Sequence, residues 1–337
     1  MARRERTTGL PRPKPRARAA SGRTIAGVPL GDHQLRLAII GTAVLALLAI
    51  IAGFAYNIYE EQVARPGTVI LTVGDEDFTL GYYADRLLAF LQANANSGES
   101  AKLAEEALLN KLEEEALTLQ VARDRGINLS EQDVTQAIAD GFGVPAGPTG
   151  SSFDTLYRNQ LKQLHISDSN YRKLREAQLA NDRLLEAFTT DAGANGEQLV
   201  LRIVVVNTKE AADAILKRVQ AGEDLGTVAQ TASIDLESRQ KDGVMLPEPA
   251  VLLPEAIRAA AEGKAAGELL GPVQVEANWW VFRVDKREDT PYTDGQKTQL
   301  AQLRLDDAIK AKRAQLGSKV ERSLNADDIK WAERHLN

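Results

Sequence analysis

The run LAIIGTAVLALLAIIAGFAY, Leu37 to Tyr56, holds twenty residues without one charge. As an α-helix rising 1.5 Å per residue it spans about 30 Å, the thickness of a bilayer's hydrocarbon core. A helix that is apolar on every side has no face to turn toward water, so it belongs in lipid or deep inside a large protein. Core helices of soluble proteins are usually shorter. The apolar stretch of a cleaved signal peptide is about 7–15 residues and ends in a small-x-small site. Here the run is longer and leads into NIYEEQVARPG. It reads as an uncleaved single-pass transmembrane helix over residues 37–56.

Charge sets its direction. Residues 1–36 carry nine basic side chains (Arg3, Arg4, Arg6, Arg12, Lys14, Arg16, Arg18, Arg23 and Arg36) against Glu5 and Asp32, a local charge of +7; the whole chain is −6, which leaves −13 for everything beyond. The basic cluster precedes the span and the acidic pair Glu60–Glu61 follows it. The positive-inside rule then holds the N-terminus in the cytoplasm and puts the acidic remainder outside the cell membrane. The tail is rich in Pro and Arg, the composition of a disordered segment, and topology signalling accounts for its charge; no nucleic-acid partner is expected.

The composition also excludes chemistry. With no cysteine in 337 residues, disulfides, thiolate nucleophiles and cysteine metal sites are ruled out. The three histidines, His33, His165 and His335, are scattered, so neither a hydrolase triad nor a multi-histidine zinc site is suggested. No phosphate-cradling glycine loop is present. Neither a metal nor a cofactor is expected.

Beyond the span the pattern is first helical. TVILTVGDEDFTLGYYADRLLAFLQ, Thr68–Gln92, reads as strand, turn at Gly74–Asp75, and helix from Thr79. In SAKLAEEALLNKLEEEALTLQVARDRG, residues Leu103, Ala107, Leu108, Leu112, Ala116, Leu119 and Ala122 recur at three- and four-residue spacing and the pattern stops at Gly126, predicting a long amphipathic helix. Ser130 and Asp133 have the offset of a capping box. Gly141–Ser152 is a loop, and helices are predicted over Phe153–Leu164 and from an N-cap at Ser167 to Phe188. TTDAGANGEQ, Thr189–Gln198, has the composition of a domain boundary.

The texture then changes. Strands are predicted at Leu199–Val206, Leu270–Val275 and Trp279–Asp285, with helices at Thr208–Ala221, Leu225–Thr231 and Pro254–Glu262: a small α/β unit over residues 197–287. Residues 293–337 return to helix, a tail suited to complete the first helical domain across the α/β unit. The fold class is α + α/β, with the helical domain at 66–190.

Taken in order, these elements resemble the membrane-anchored or periplasmic SurA/PpiD/PrsA-like foldases, which join a SurA-like helical chaperone region to a parvulin domain. The helical resemblance rests on TVILTVGDEDFTLGYYADRL, on LLNKLEEEALTLQVARDRGINLSEQDVTQAI and on ISDSNYRKLREAQLANDRLLEAF. The parvulin resemblance rests on VVVNTKEAADAILKRVQAGEDLGTVAQTASID, on LLPEAIRAA and on GPVQVEANWWVFRV. It implies a chain that holds unfolded polypeptides, or one that speeds rotation about X-Pro bonds, whose uncatalysed exchange takes tens to hundreds of seconds.

In parvulins two histidines and an Asp or Cys form a polar network beside an apolar proline seat. The resemblance puts the first histidine position at Ile203 and the second at Trp280; the acidic position is kept as Asp235, and the proline seat falls on Leu252 and Ala256. No histidine lies between His165 and His335, so no shift of alignment restores the pair. KDGVMLP matches the central glycine-rich segment poorly, which leaves Asp242 and Gly243 unassigned. Asp235, the one retained polar position, is first of all a helix or turn cap and only second a catalyst. Trp279 and Trp280 point to opposite faces of their strand. Isomerase activity is therefore predicted weak or lost.

Three functions follow from this reading. The preferred one is a membrane-anchored extracytoplasmic chaperone that binds unfolded exported polypeptides, with the parvulin-like domain as a second binding surface. The alternatives are a working peptidyl-prolyl isomerase and a structural adaptor of a membrane export complex.

Overall fold

The computed structural model describes residues 24–25, 28–29, 32–93 and 101–336. The basic tail lies mostly outside the described residues. The chain divides at Pro66/Gly67 into two units.

In the first unit, β1 (Thr24–Ile25) and β2 (Val28–Pro29) pair antiparallel, and α1 (Asp32–Tyr59) leads into a π-helical turn, Glu60–Ala64. The helical run Arg36–Ala64 is long and apolar enough to cross a membrane. Its Thr42 hydroxyl donates to the Ala38 carbonyl at 2.6 Å, so that polar group is satisfied within the helix, as lipid demands.

In the second unit, β3 (Val69–Val73) and β4 (Glu76–Thr79) form a hairpin ahead of α2 (Leu80–Ala93). The sequence pattern predicts a turn and then helix from Thr79, without the strand at Glu76–Thr79. The short strand forms because EDFT alternates, which pairs Phe78 with Leu71 and buries its ring. Gly74 makes the turn at φ 64°, and a Cβ there would come within 2.9 Å of the Gln120 amide that donates to Val73.

Next come α3 (Ala101–Asp124), α4 (Glu131–Gly141), α5 (Ser152–Leu164) and α6 (Asp168–Ala192). Their starts are set locally. Ser130 and Asp133 form the reciprocal capping box, Asp serving where Glu is commoner, and Ser167 caps α6 through the Asn170 amide. His165 closes α5 in the left-handed conformation, φ 52°. The stretch Thr189–Gln198, whose composition is that of a domain boundary, carries regular structure at both ends. Thr189 and Thr190 donate to carbonyls four residues back and extend α6, while Asn195–Gln198 already pair with Glu288–Pro291.

β5 (Asn195–Val206) opens a four-stranded sheet, followed by α7 (Lys209–Gln220), α8 (Leu225–Ala232), the short α9 (Leu236–Arg239), β6 (Glu248–Pro249), a 3-10 turn at Ala250–Leu252, α10 (Glu255–Ala261), β7 (Leu269–Val275) and β8 (Asn278–Pro291). The strand order is β6-β5-β8-β7, every pairing antiparallel. Alternation along β5 and β8 builds two cores. Leu199, Leu201, Ile203, Val205, Phe282 and Val284 pack with Ile257 of α10, while Val204, Val206 and Val281 pack with Ile215 of α7 and Val228 of α8.

α11 (Asp294–Leu316) then runs back along α6 and α3; β9 (Val320–Arg322) joins β3, giving the order β4-β3-β9, and α12 (Ala326–Arg334) packs on α2. Buried charges tie this return. Glu113 on α3 accepts from Arg313 on α11 and, at 2.7 Å, from the Arg322 side chain on β9. Burial pushes its carboxyl up, but the two guanidiniums outweigh that and hold it below the usual glutamate range. A second buried pair, Arg86–Glu115, is bidentate at 2.8 and 2.9 Å, and Arg86 also donates to the Tyr82 hydroxyl. Burial raises that phenol to about 12.

Candidate functional site

Three of the five positions singled out in the sequence meet in one depression of about 240 Å³ on the sheet domain: Ile203 from β5, Asp235 at the head of α9 and Trp280 from β8. Val244, Met245, Leu246, Glu237, Ser238 and Glu248 complete the lining. Leu252 is half-buried in the 3-10 turn and Ala256 is exposed on α10; neither lines the depression.

The wall is built from backbone bonds to the edge of β5 away from β8, continuing past its short pairing with β6. Ile234 N–H donates to Val205 O at 2.9 Å, Ile203 N–H to Gly243 O at 2.8 Å, and Met245 N–H to Leu201 O at 2.8 Å. Gly243 sits at φ 78°, and a Cβ there would come within 2.7 Å of the Ile203 carbonyl. Only glycine lets the chain approach so closely. This is the tract whose sequence matched poorly, and it supplies Val244, Met245 and Leu246.

Asp235 is committed to structure. Its carboxylate caps α9, accepting from Ser238 N–H at 2.9 Å and from the Ser238 hydroxyl. Ser233, two residues earlier, is buried and accepts from Val205 N–H at 3.1 Å. The Ser-x-Asp element thus fastens a segment to the sheet. Ile203 is 2% exposed and forms the floor. Trp280 stands opposite Val205 on one side and Val273 on the other, packed on the α10 face, while Trp279 packs on the α7–α8 face. Both indoles are half-buried, so neither is a pure core residue.

The depression is therefore aliphatic and indole at its base with carboxylates around it. Of these, Glu248 is half-buried, and burial pushes its carboxyl above the usual range, offset in part by the Gln296 amide. Gln296, in the first turn of α11, also donates to Pro247 O at 2.8 Å and to the buried Gln198 at 3.1 Å. The C-terminal helix thereby holds the edge of the depression in place. Glu248 and Gln296 had no sequence signal, since their roles depend on contacts across many residues. Among the described residues no group of three or more His, Asp and Glu side chains is placed to hold a metal ion.

A larger cleft of about 840 Å³ lies in the helical domain among α3, α4, α6 and β4. Leu119, Leu129 and Val134 give it apolar surface, and its walls carry the Arg123–Glu76 pair, Arg172 and Lys173. Arg172 links α6 to α4 through the Thr135 hydroxyl at 2.9 Å. The Lys173 ammonium lies 4.0 Å from the Phe78 ring centroid, and its burial lowers the pKa; burial also raises that of Glu176.

Comparison with known proteins gives two family matches: a SurA-like N-terminal domain over residues 33–185 and a PPIC-type PPIASE domain over residues 191–297. The foldase protein PrsA of Clostridium acetobutylicum is 22% identical over 257 residues, covering 71% of this chain and 76% of that protein. Among solved structures, a peptidylprolyl isomerase (PrsA) from Bacillus cereus matches 81% of this chain and 99% of its own at 14% identity, TM-score 0.42. The parvulin domain of PpiD from E. coli matches 27% of this chain and 89% of its own at 23% identity, TM-score 0.25.

Proposed function

Because the chain is a SurA/PrsA-like foldase, with a SurA-like N-terminal domain followed by a PPIC-type domain, we propose that it is a membrane-anchored extracytoplasmic chaperone. In this reading it holds unfolded, newly exported polypeptides, and its parvulin-like domain binds them rather than isomerising them.

The observation that carries this is the make-up of the depression on the sheet domain. Where the resemblance calls for two histidines stand Ile203 and Trp280, and the one retained acid, Asp235, spends its carboxylate on Ser238. A general acid or base needs a titratable group within reach of the reacting amide, and the titratable groups in this lining are carboxylates, with no histidine among them. Around them, large apolar side chains face water. Beyond residue 67, the exposed ones among the described residues are Val69, Leu156, Ile234, Leu236, Leu246 and Val251; four of these fall within or next to residues 235–248, which supply most of the lining, and Leu246 lines the depression itself. Exposed apolar side chains concentrated around a concavity mark a binding face.

The anchor reading rests on the uncharged helix and the +7 tail before it. The helical cleft supplies further surface for an extended chain.

The test uses the full chain in dodecyl maltoside micelles with a chemically unfolded, aggregation-prone client. The protein is expected to suppress aggregation at equimolar ratio while showing no parvulin-like rate on a proline peptide. Leu236→Ser/Leu246→Ser, two exposed positions, is expected to weaken client binding about five-fold or more with an unchanged melting temperature. Failure to suppress aggregation, or a parvulin-like isomerase rate, would refute the reading.

A further inference from the structure

The charge in the lining of the depression is one-sided. Its lining includes three carboxylates, Asp235, Glu237 and Glu248, and no Lys or Arg. We propose that this face selects unfolded segments in which an apolar side chain is flanked by lysine or arginine. The inference rests on the client-binding reading above and adds the class of client.

The three acids differ in how well they are already matched. Asp235 is occupied by Ser238. Among the described residues Glu237 pairs with a neighbour on its own segment, Lys241 Nζ at 3.0 Å, and both side chains are exposed, so an incoming cation competes with a weakly held partner. Glu248 is half-buried and faces the neutral Gln296 amide; burial raises its carboxyl's affinity for a proton, and a cation brought by a client would offset that desolvation. Leu246 in the lining gives the client's apolar side chain its contact, the exposed Leu236 stands beside the depression between Asp235 and Glu237, and Trp280 gives the base. An ammonium or guanidinium two residues along an extended client, about 6.8 Å away on the same face, then meets the acidic rim. The −13 charge of the chain beyond residue 36 adds steering toward cationic clients but cannot by itself prefer this face.

Each exposed pair of this kind is worth about 1.4- to 5-fold in affinity, so two carboxylates make a preference of about five-fold. The test measures anisotropy of three peptides sharing one apolar core, flanked by Lys, Ser or Glu and carrying a neutral dye, against the full chain in non-ionic micelles. The expected order is Lys tightest, then Ser, then Glu. The Lys-over-Ser gap is expected to close in Glu237→Gln/Glu248→Gln and to persist in Asp306→Asn/Asp307→Asn on α11. Glu237 is exposed, so E237Q alone, narrowing the gap about two-fold, carries the test if the double variant unfolds. Equal binding of all three peptides overturns the preference and leaves the client-binding reading standing. A gap that survives the site variants assigns it to overall charge and overturns the proposal. Binding of none overturns both.

Discussion

Replacing Glu113 with alanine tests the idea that the C-terminal return of the chain is held by a buried ionic clasp. The carboxylate is 5% exposed, while the side chains of Arg313 and Arg322 are 57% and 34% exposed. Breaking a fully buried pair costs about 3–5 kcal/mol because the survivor is stranded without water. Here both guanidiniums rehydrate once the acid is gone, which removes much of that penalty. What remains is the loss of two charge-assisted hydrogen bonds and a small cavity, about 2–3 kcal/mol in total. For a unit of this size that is a fall in melting temperature of about 4–10 °C. The assay is thermal unfolding at pH 7 followed by tryptophan fluorescence, which reports Trp331 on α12 together with Trp279 and Trp280 on β8, with Arg313→Ala and Arg322→Ala completing a double-mutant cycle. The loss from E113A together with R313A should be smaller than the sum of the single losses. The pH dependence follows from the sign of the shift. The folded carboxyl titrates below the ordinary glutamate value, so its contribution is complete above about pH 4.3 and is lost as pH falls through the folded value. The difference between wild type and E113A should accordingly shrink toward pH 3. A melting temperature within about 1 °C of wild type at pH 7, or strictly additive losses in the cycle, would refute the clasp.

Two further outcomes are expected. Asp235→Ala should cost about 1 kcal/mol, the worth of an N-cap, whereas Asp235→Asn should be nearly neutral, with no change in proline-peptide turnover in either; a fall in turnover with unchanged stability would restore Asp235 as a catalyst. The chain has no cysteine, so Ser21→Cys and Asn159→Cys give clean single-thiol reporters. In intact cells an impermeant maleimide should label position 159 and not position 21, and the opposite pattern would reverse the proposed topology.

Much of the local structure was legible in the residues. The capping residues Ser130, Ser167 and Thr208 each announce a helix start, and each accepts from the backbone N–H three residues on. Such signals are readable because a cap needs only its own first turn. The paired tryptophans were readable as two-faced because alternation is a property of any strand. Less legible were the four residues Glu76–Thr79 and the polar start of β5. Their composition favours turns, and only pairing partners, Val69 and Leu71–Val73 for the one and Glu288–Pro291 for the other, make them strands. In the candidate site, Ile203, Asp235 and Trp280 were found by resemblance, whereas Glu237, Met245, Leu246 and Glu248 entered only with the tract around Gly243 folded against β5.

By itself, then, the sequence determined an apolar helix led by a basic tail, a helical stretch, a sheet-forming stretch, and a chain with no thiol and no clustered histidine. These follow from composition and from spacings of two to four residues, which physical chemistry reads without knowing the rest of the molecule. The tertiary structure decided that Val320–Arg322 pairs with a strand some 250 residues earlier, the Ser323 hydroxyl donating to Val69 O at a separation of 254 residues. It also decided that Gln296 of α11 props the edge of the depression and that the acids there have no basic neighbour in its lining. The reason is that such contacts depend on which distant surfaces bury each other once the loops are closed, and the cost of closing a loop grows only slowly with its length, so separation along the chain carries almost no information about them.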